Sequence, residues 1–511
     1  REVCSGGGSL FSGASLDQHV GLGPGGGLYT VETLFPVSGE RVTVSNAVPF
    51  RILTIEEPGD TVENEPGNGF ADLGVAVPIS CTLSYAVTTN KAGKNVVLAW
   101  LKDHRGEYAL LEIDPDTGKS EQHPVPEASG SAFGSLLSSR NRFYKHFGNH
   151  FYEYDPAARS FTFWTNTAPG GSANLVEDEK GVIWSISGPQ SGLVSFDPGT
   201  RAFKDYGHLY KQNFVQYPGG LSMGDTGWVY WSVGKALCQV VAFNPGTGAV
   251  KPLLKEEERS LGHARIYQDV NGKVYGRARR NGEWFECHAG VALKIDGRPP
   301  MRRYSRANRG DNMSFTDGRR LAGIDLEKRV LVVNGPGPNE SRRIPFSYES
   351  DGAHVMGLAA APDGTICGGG SFPMVFFAYD PETGHITNRA VIGQWNTMNR
   401  QGSRLYAGCY TGGYLLEWDT ARPWVEPRRG DTNSNPLFLG ENREVMNRPH
   451  DLLPLDDGRT IVMSGSPCYG MTGGGLVFWD SEARTSTQVQ HTDILPEHTT
   501  MSMVPMPGGK F

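Results

Sequence analysis

Little in this chain points to a membrane, a nucleic acid or a metal cage. No apolar run approaches the length that crosses a bilayer. Lys and Arg number 48 against 55 Asp and Glu, a formal net charge of -7, which gives no electrostatic footing for nucleic acid. The seven cysteines are Cys4, Cys81, Cys238, Cys287, Cys367, Cys409 and Cys468. None forms a CxxC pair, which argues against a zinc site of the usual spacing. Several sit in strand-like runs, where a free buried thiol is the ordinary state. The chain opens at Arg1 without a charged-then-apolar leader, so a signal peptide is expected to have been removed or never present. Compartment stays open on these grounds, with a secreted or periplasmic setting preferred.

Glycine and proline are plentiful instead, at 67 and 33 residues of 511. They punctuate a recurring phrase: an apolar or aromatic residue, Asp or Asn, Pro, and often Thr-Gly. Copies stand at Asp114-Pro115-Asp116-Thr117-Gly118, Asp155-Pro156, Asp197-Pro198-Gly199-Thr200, Asn244-Pro245-Gly246-Thr247-Gly248 and Asp380-Pro381-Glu382-Thr383-Gly384, with weaker ones at Asp296, Asp325, Asp419 and Asp480. A spacing of roughly 40–50 residues with strand-like flanks is that of propeller blades. Residues 172–206 spell one unit: four short runs rich in β-branched and aromatic residues, separated by turn signals.

The pattern predicts an all-β chain, a β-propeller of four-stranded antiparallel blades. Units begin near Pro78, Ser129, Phe214, His263, Asn312, His354, Trp395 and Arg448. A last one opens at His498 and stops at Phe511, so the final blade is expected to be incomplete. Nine units favour one large ring, with two incomplete rings as the alternative. Residues 1–75 repeat poorly and form an N-terminal segment whose runs 42–44 and 51–55 could supply closing strands; the propeller spans 76–511.

In a propeller the start of each first strand and the loop between strands two and three share one face, whereas the Asp-Pro turns lie on the other. The Asp-Pro carboxylates therefore read as turn caps. The functional face is expected to carry Tyr144, His146 and His150 from one loop, Gln216 and Tyr217, then His263 with Arg265, His354, Trp395, Arg448, His450 and His498. Each histidine alone is more often structural; as a set they raise a site. Two chemistries fit. Converging imidazoles could hold a divalent metal, the lesser reading, and no metal ligand set is assigned. Alternatively His146 and Tyr217 would serve as base and acid with Arg265 neutralising a carboxylate, while Tyr144, His150, Gln216, His354, Trp395, Arg448 and His450 bind substrate. Trp395 is the candidate for stacking on a sugar ring. The other tryptophans, such as Trp184 and Trp231, read as packing between blades. The run Cys468-Tyr469-Gly470-Met471-Thr472-Gly473-Gly474-Gly475 lacks a P-loop Lys and reads as a mobile rim loop.

Units such as Arg448-Pro449-His450, Asp456-Asp457-Gly458 and Leu476-Val477-Phe478-Trp479-Asp480 resemble blades of streptogramin B lyase. They are also similar to propeller polysaccharide lyases acting on ulvan, oligogalacturonate or rhamnose–glucuronate linkages. The resemblance covers about residues 80–511. It implies a carbon–oxygen lyase that cleaves a uronate-containing glycan by β-elimination, commonly with His and Tyr and sometimes a metal. A non-catalytic propeller that binds a glycan or protein on the same face is the alternative, because one fold hosts many functions.

Overall fold

The computed structural model describes residues 73–511 apart from 131–132, 169, 213–215, 236, 279–281, 300–312, 338–339, 470 and 507–509, together with four short strands within 27–50. Two compact units meet in sequence at residues 74 and 75. In the first, Gly27–Tyr29 pairs with Val48–Phe50, and Glu32–Leu34 with Arg41–Thr43. Residue 44 and the run 51–55, named above as closing strands, lie outside the described residues.

The second unit is a β-propeller. Its sheets are blades 1 (85–129), 2 (135–166), 3 (171–208), 4 (216–252), 5 (265–294), 6 (320–345), 7 (354–390), 8 (394–440) and 9 (448–489). Among the described residues, eight are four-stranded antiparallel meanders with strands in chain order and blade 6 has three strands, with Ser314 bridging to Arg320 at its inner edge. After Val489 the described residues add no strand, and His498 lies in an irregular stretch with Nδ1 2.8 Å from the Pro496 carbonyl.

Burial follows from stacking sheets on both faces. The middle strands of blade 3, Ile183–Gly188 and Gly192–Asp197, are buried almost end to end, whereas the outer strand of blade 2, Ser160–Asn166, alternates. A strand covered on both faces reads as an apolar run, and one covered on a single face alternates. Blades 1, 2 and 3 share one core around Trp100, Tyr144, Phe151 and Phe196. Blades 3 to 5 continue it in chain order, and blades 7 to 9 form their own series. Blade 6 departs from chain order and packs Phe315, Leu331 and Ile344 against Val87, Val97 and Leu111 of blade 1. Gly118, at φ +76°, sits so close that a Cβ would fall 1.9 Å from the Pro345 carbonyl of blade 6.

The Asp-Pro phrase is the turn between strands three and four. Asp114 Oδ1 accepts from the Asp116 and Thr117 amides, and Asn244 Oδ1 from Gly246 and Thr247. Four residues after the Asp or Asn, the chain adopts positive φ: Gly118, Gly248 and Gly384 in some copies, Arg159, Arg201 and Arg484 in others. Each of these arginines spends its left-handed strain on a contact across the blade seam. Arg159 pairs with Glu112 at 2.9 Å, Arg201 with Glu153 at 2.5 Å and Arg484 with Glu417 at 2.8 Å, every glutamate being nearly buried in the third strand of the preceding blade. A tyrosine completes each clasp: Tyr154 on Glu112, Tyr144 on Glu153 and Tyr406 on Glu417.

Candidate functional site

In a meander, the start of strand one and the end of strand two lie at the same blade end, and the register places several polar side chains there. His354 faces Ser371, Gln394 faces Tyr410, and Arg448 faces Ser466. Tyr217 faces Gly234 near the start of blade 4. From this end the loop after Thr460–Ser466 carries Tyr469.

Four of these side chains converge from three blades. The phenol of Tyr469 lies 2.9 Å from that of Tyr410, and the Tyr469 ring meets Tyr217 edge-on at 5.5 Å between centroids. Tyr217 and Arg448 also hydrogen-bond the Tyr469 phenol. The Arg448 guanidinium stacks 4.3 Å from the centroid of Tyr410. Among the described residues no carboxylate stands within ion-pair distance of Arg448, so its charge is balanced by aromatic faces and phenol oxygens rather than by a counter-ion.

These contacts separate the phenols electrostatically. Burial raises Tyr469, but the hydrogen bonds from Tyr410, Tyr217 and Arg448, with the Arg448 charge, outweigh it and hold Tyr469 below the ordinary 10.0. Burial, then the hydrogen bond to Tyr469, pushes Tyr410 up to about 12 and raises Tyr217 further. Three interacting phenols titrate as a unit, and either phenol of the Tyr410–Tyr469 pair can donate to the other. Beside them, His450 Nε2 lies 2.5 Å from Ser466 Oγ, and its imidazolium is disfavoured by burial first and by Arg448 second. Gln394, almost fully buried, accepts from Ser371 and donates to Asn396, tying blade 7 to blade 8 under this rim.

Other expected site residues fall elsewhere. His146, expected to act with Tyr217 and Arg265, is inside strand Phe143–Phe147, 1% exposed, with Nδ1 on Ser185 Oγ at 2.8 Å and Nε2 on Thr167 Oγ1 at 3.0 Å. Both ring nitrogens serve the seam between blades 2 and 3. Tyr144 is fully buried in the Glu153 clasp, and His150 is buried with Nε2 2.6 Å from Glu127. Trp395 is also a core residue, 1% exposed, its ring 5.2 Å from Phe376 and not open to a sugar. Arg265 and His354 are exposed at the starts of blades 5 and 7. The side chain of Gln216 lies outside the described residues. The blade-start histidines do not gather: among the described residues no group of three or more His, Cys, Asp or Glu could hold a metal ion. Among the described residues no helix is long and apolar enough to cross a membrane.

Tyr410 and Tyr469 were missed from sequence. Tyr469 is an aromatic residue set among glycines, and that contrast was the available signal.

No protein-family model matches the chain, and no curated protein matches it. Among solved structures it is similar to a streptogramin B lyase at 13% identity, covering 58% of this chain and 92% of that one, with a TM-score of 0.29. It is similar to virginiamycin B lyase from Staphylococcus aureus at 10% identity, with coverages of 76% and 93% and a TM-score of 0.23. The extracellular domain of BT4673 from B. thetaiotaomicron matches at 9% identity over 85% of this chain and 68% of that one, with a TM-score of 0.25. These likenesses carry no inference about activity.

Proposed function

We propose that the Tyr217–Tyr410–Tyr469–Arg448 cluster is the active site of a carbon–oxygen lyase that cleaves a uronate-containing glycan by β-elimination. The observation that carries this reading is a guanidinium without a carboxylate partner, held beside phenols whose proton affinities are pushed apart. Elimination needs those parts. Arg448 would bind the uronate carboxylate and stabilise the negative charge that grows on it as the neighbouring C–H bond breaks. Tyr469, as the phenolate, would take that proton, and Tyr410 or Tyr217 would return one to the leaving glycosidic oxygen. Exposed His354 and Arg265, with His450, would extend contacts along the same blade ends.

Incubation with a panel of uronate-containing glycans tests it, read by the ultraviolet absorbance of the unsaturated uronate product. Product from one glycan, abolished in Tyr469→Phe and Arg448→Met while both variants stay folded, is the expected result. Binding of a glycan without product would leave a glycan-binding scaffold. Full turnover in both folded variants would remove the cluster from the chemistry.

A further inference from the structure

A second constellation of reactive side chains lies at the seam between blades 1 and 2, on residues that the tyrosine–arginine cluster does not use. Strand Ser120–Ser129 is the outer strand of blade 1, and its last residue, Ser129, is partly exposed. Across the seam, strand His150–Asp155 of blade 2 opens on His150. The Ser129 hydroxyl lies 3.4 Å from His150 Nδ1, and on the other side of the ring Nε2 lies 2.6 Å from Glu127 Oε2. The imidazole is 3% exposed and the Glu127 side chain 52% exposed, so the ring is desolvated while its ion-pair partner is open to solvent. A hydroxyl, an imidazole and a carboxylate in that order are the parts of an acyl-transfer triad, whose contacts are often longer before substrate binds.

The chain around them allows close approach. Phe147 pairs with His150 across the two-residue turn Gly148-Asn149, where Gly148 takes φ +57°. A Cβ at Gly148 would fall 2.4 Å from Ser129 Oγ, so only glycine lets the turn lie over the hydroxyl. Both turn carbonyls are occupied: Gly148 accepts from the Gly170 amide at 2.7 Å and Asn149 from the Thr167 amide at 2.6 Å. Among the described residues the Gly148 and Asn149 amides donate to no acceptor, and free amides beside a nucleophile are what an oxyanion needs. The Tyr152 hydroxyl donates to the Glu127 carbonyl at 2.7 Å and fixes the strand that carries the carboxylate. Trp164, 43% exposed, has its ring 6.3 Å from the imidazole and leaves an apolar face open beside it.

We propose that Ser129, His150 and Glu127 form a serine esterase site that hydrolyses a carboxylic ester, with Trp164 covering the ring of its alcohol. The imidazole carries its proton on Nε2, toward Glu127, and Nδ1 acts as the base. Ser129 Oγ bonds to the carbonyl carbon as its proton passes to Nδ1, and the Gly148 and Asn149 amides receive the oxyanion. Glu127 stabilises the imidazolium that forms. The C–O bond to the alcohol then breaks, and the alcohol leaves with the proton from Nδ1. Water attacks the acyl-serine by the same route, releasing the carboxylic acid and restoring Ser129. No redox partner is needed.

The test uses the full chain with two probes: a fluorophosphonate, mapped by peptide mass spectrometry, and p-nitrophenyl acetate, read by the nitrophenol released. The expected result is an adduct on Ser129. Ser129→Ala should lose that adduct while folded, and kcat/KM for p-nitrophenyl acetate should fall about a hundredfold or more. Glu127 is a positioning residue, and Glu127→Gln should lower kcat with KM little changed. Absence of an adduct on Ser129 in the unmodified chain, or an esterase rate unchanged in folded Ser129→Ala, would overturn the proposal. An unchanged kcat in Glu127→Gln would overturn the triad.

Discussion

Arg201 of blade 3 reaches back across the seam to Glu153 of blade 2, 2.5 Å away, from a turn position where other copies of the repeat carry glycine. Glu153 is 1% exposed and is also bonded by Tyr144 and Thr162. The repeat thus joins one blade to the next through a residue whose backbone conformation is unfavourable and whose side chain compensates.

Replacing Arg201 by glycine sets two effects against each other. Relief of the left-handed backbone favours the variant by about 1 kcal/mol. Loss of the guanidinium leaves a buried carboxylate with only neutral partners, which costs about 1–3 kcal/mol or more. The second should prevail, lowering the urea midpoint with the slope unchanged. An unchanged or raised midpoint would show that the clasp contributes no stability.

The tyrosine cluster predicts an ultraviolet titration. One phenolate should appear below the ordinary phenol range of about 10, since Tyr469 is held below it by Tyr410, Tyr217 and Arg448. Tyr469→Phe should remove that early step. Arg448→Met should move it to higher pH by removing a positive charge and a donor. A titration in which all phenols ionise at or above the ordinary value would refute the arrangement.

His146 makes stability depend on pH. Burial holds its imidazolium down, to about 4 in place of 6.5. Between those values the unfolded chain binds a proton that the folded chain does not. Stability should therefore fall as pH drops through that window, by about 3 kcal/mol in total. His146→Gln, which can keep bonds to Ser185 and Thr167, should flatten this part of the profile. Urea unfolding of both proteins across the window measures the difference; identical slopes would show that His146 is not the group responsible.

Trp395 should behave as core. Trp395→Ala is expected to cost about 3–5 kcal/mol, read as a fall in thermal midpoint, with no change in glycan affinity of the fraction that stays folded. Lost affinity at an unchanged midpoint would return Trp395 to the binding surface.

The sequence by itself determined the repeat, the turns and the strand order, because these depend on neighbours. An Asp or Asn side chain satisfies amides two and three residues ahead within its own turn, and a strand pairs with the next across a few residues. The same locality located the blade starts. It could not tell which end-of-strand side chains face outward. In a stack of sheets both faces of a blade are covered, so period-two alternation does not separate inside from outside, and His146, His150, Tyr144 and Trp395 were expected at the rim but lie in seams. Only the tertiary structure brought Tyr217, Tyr410, Arg448 and Tyr469 together, and only it placed blade 6 against blade 1. Those contacts join residues far apart in sequence, and what selects them is how curved sheets stack, a property of the whole assembly that no local pattern encodes.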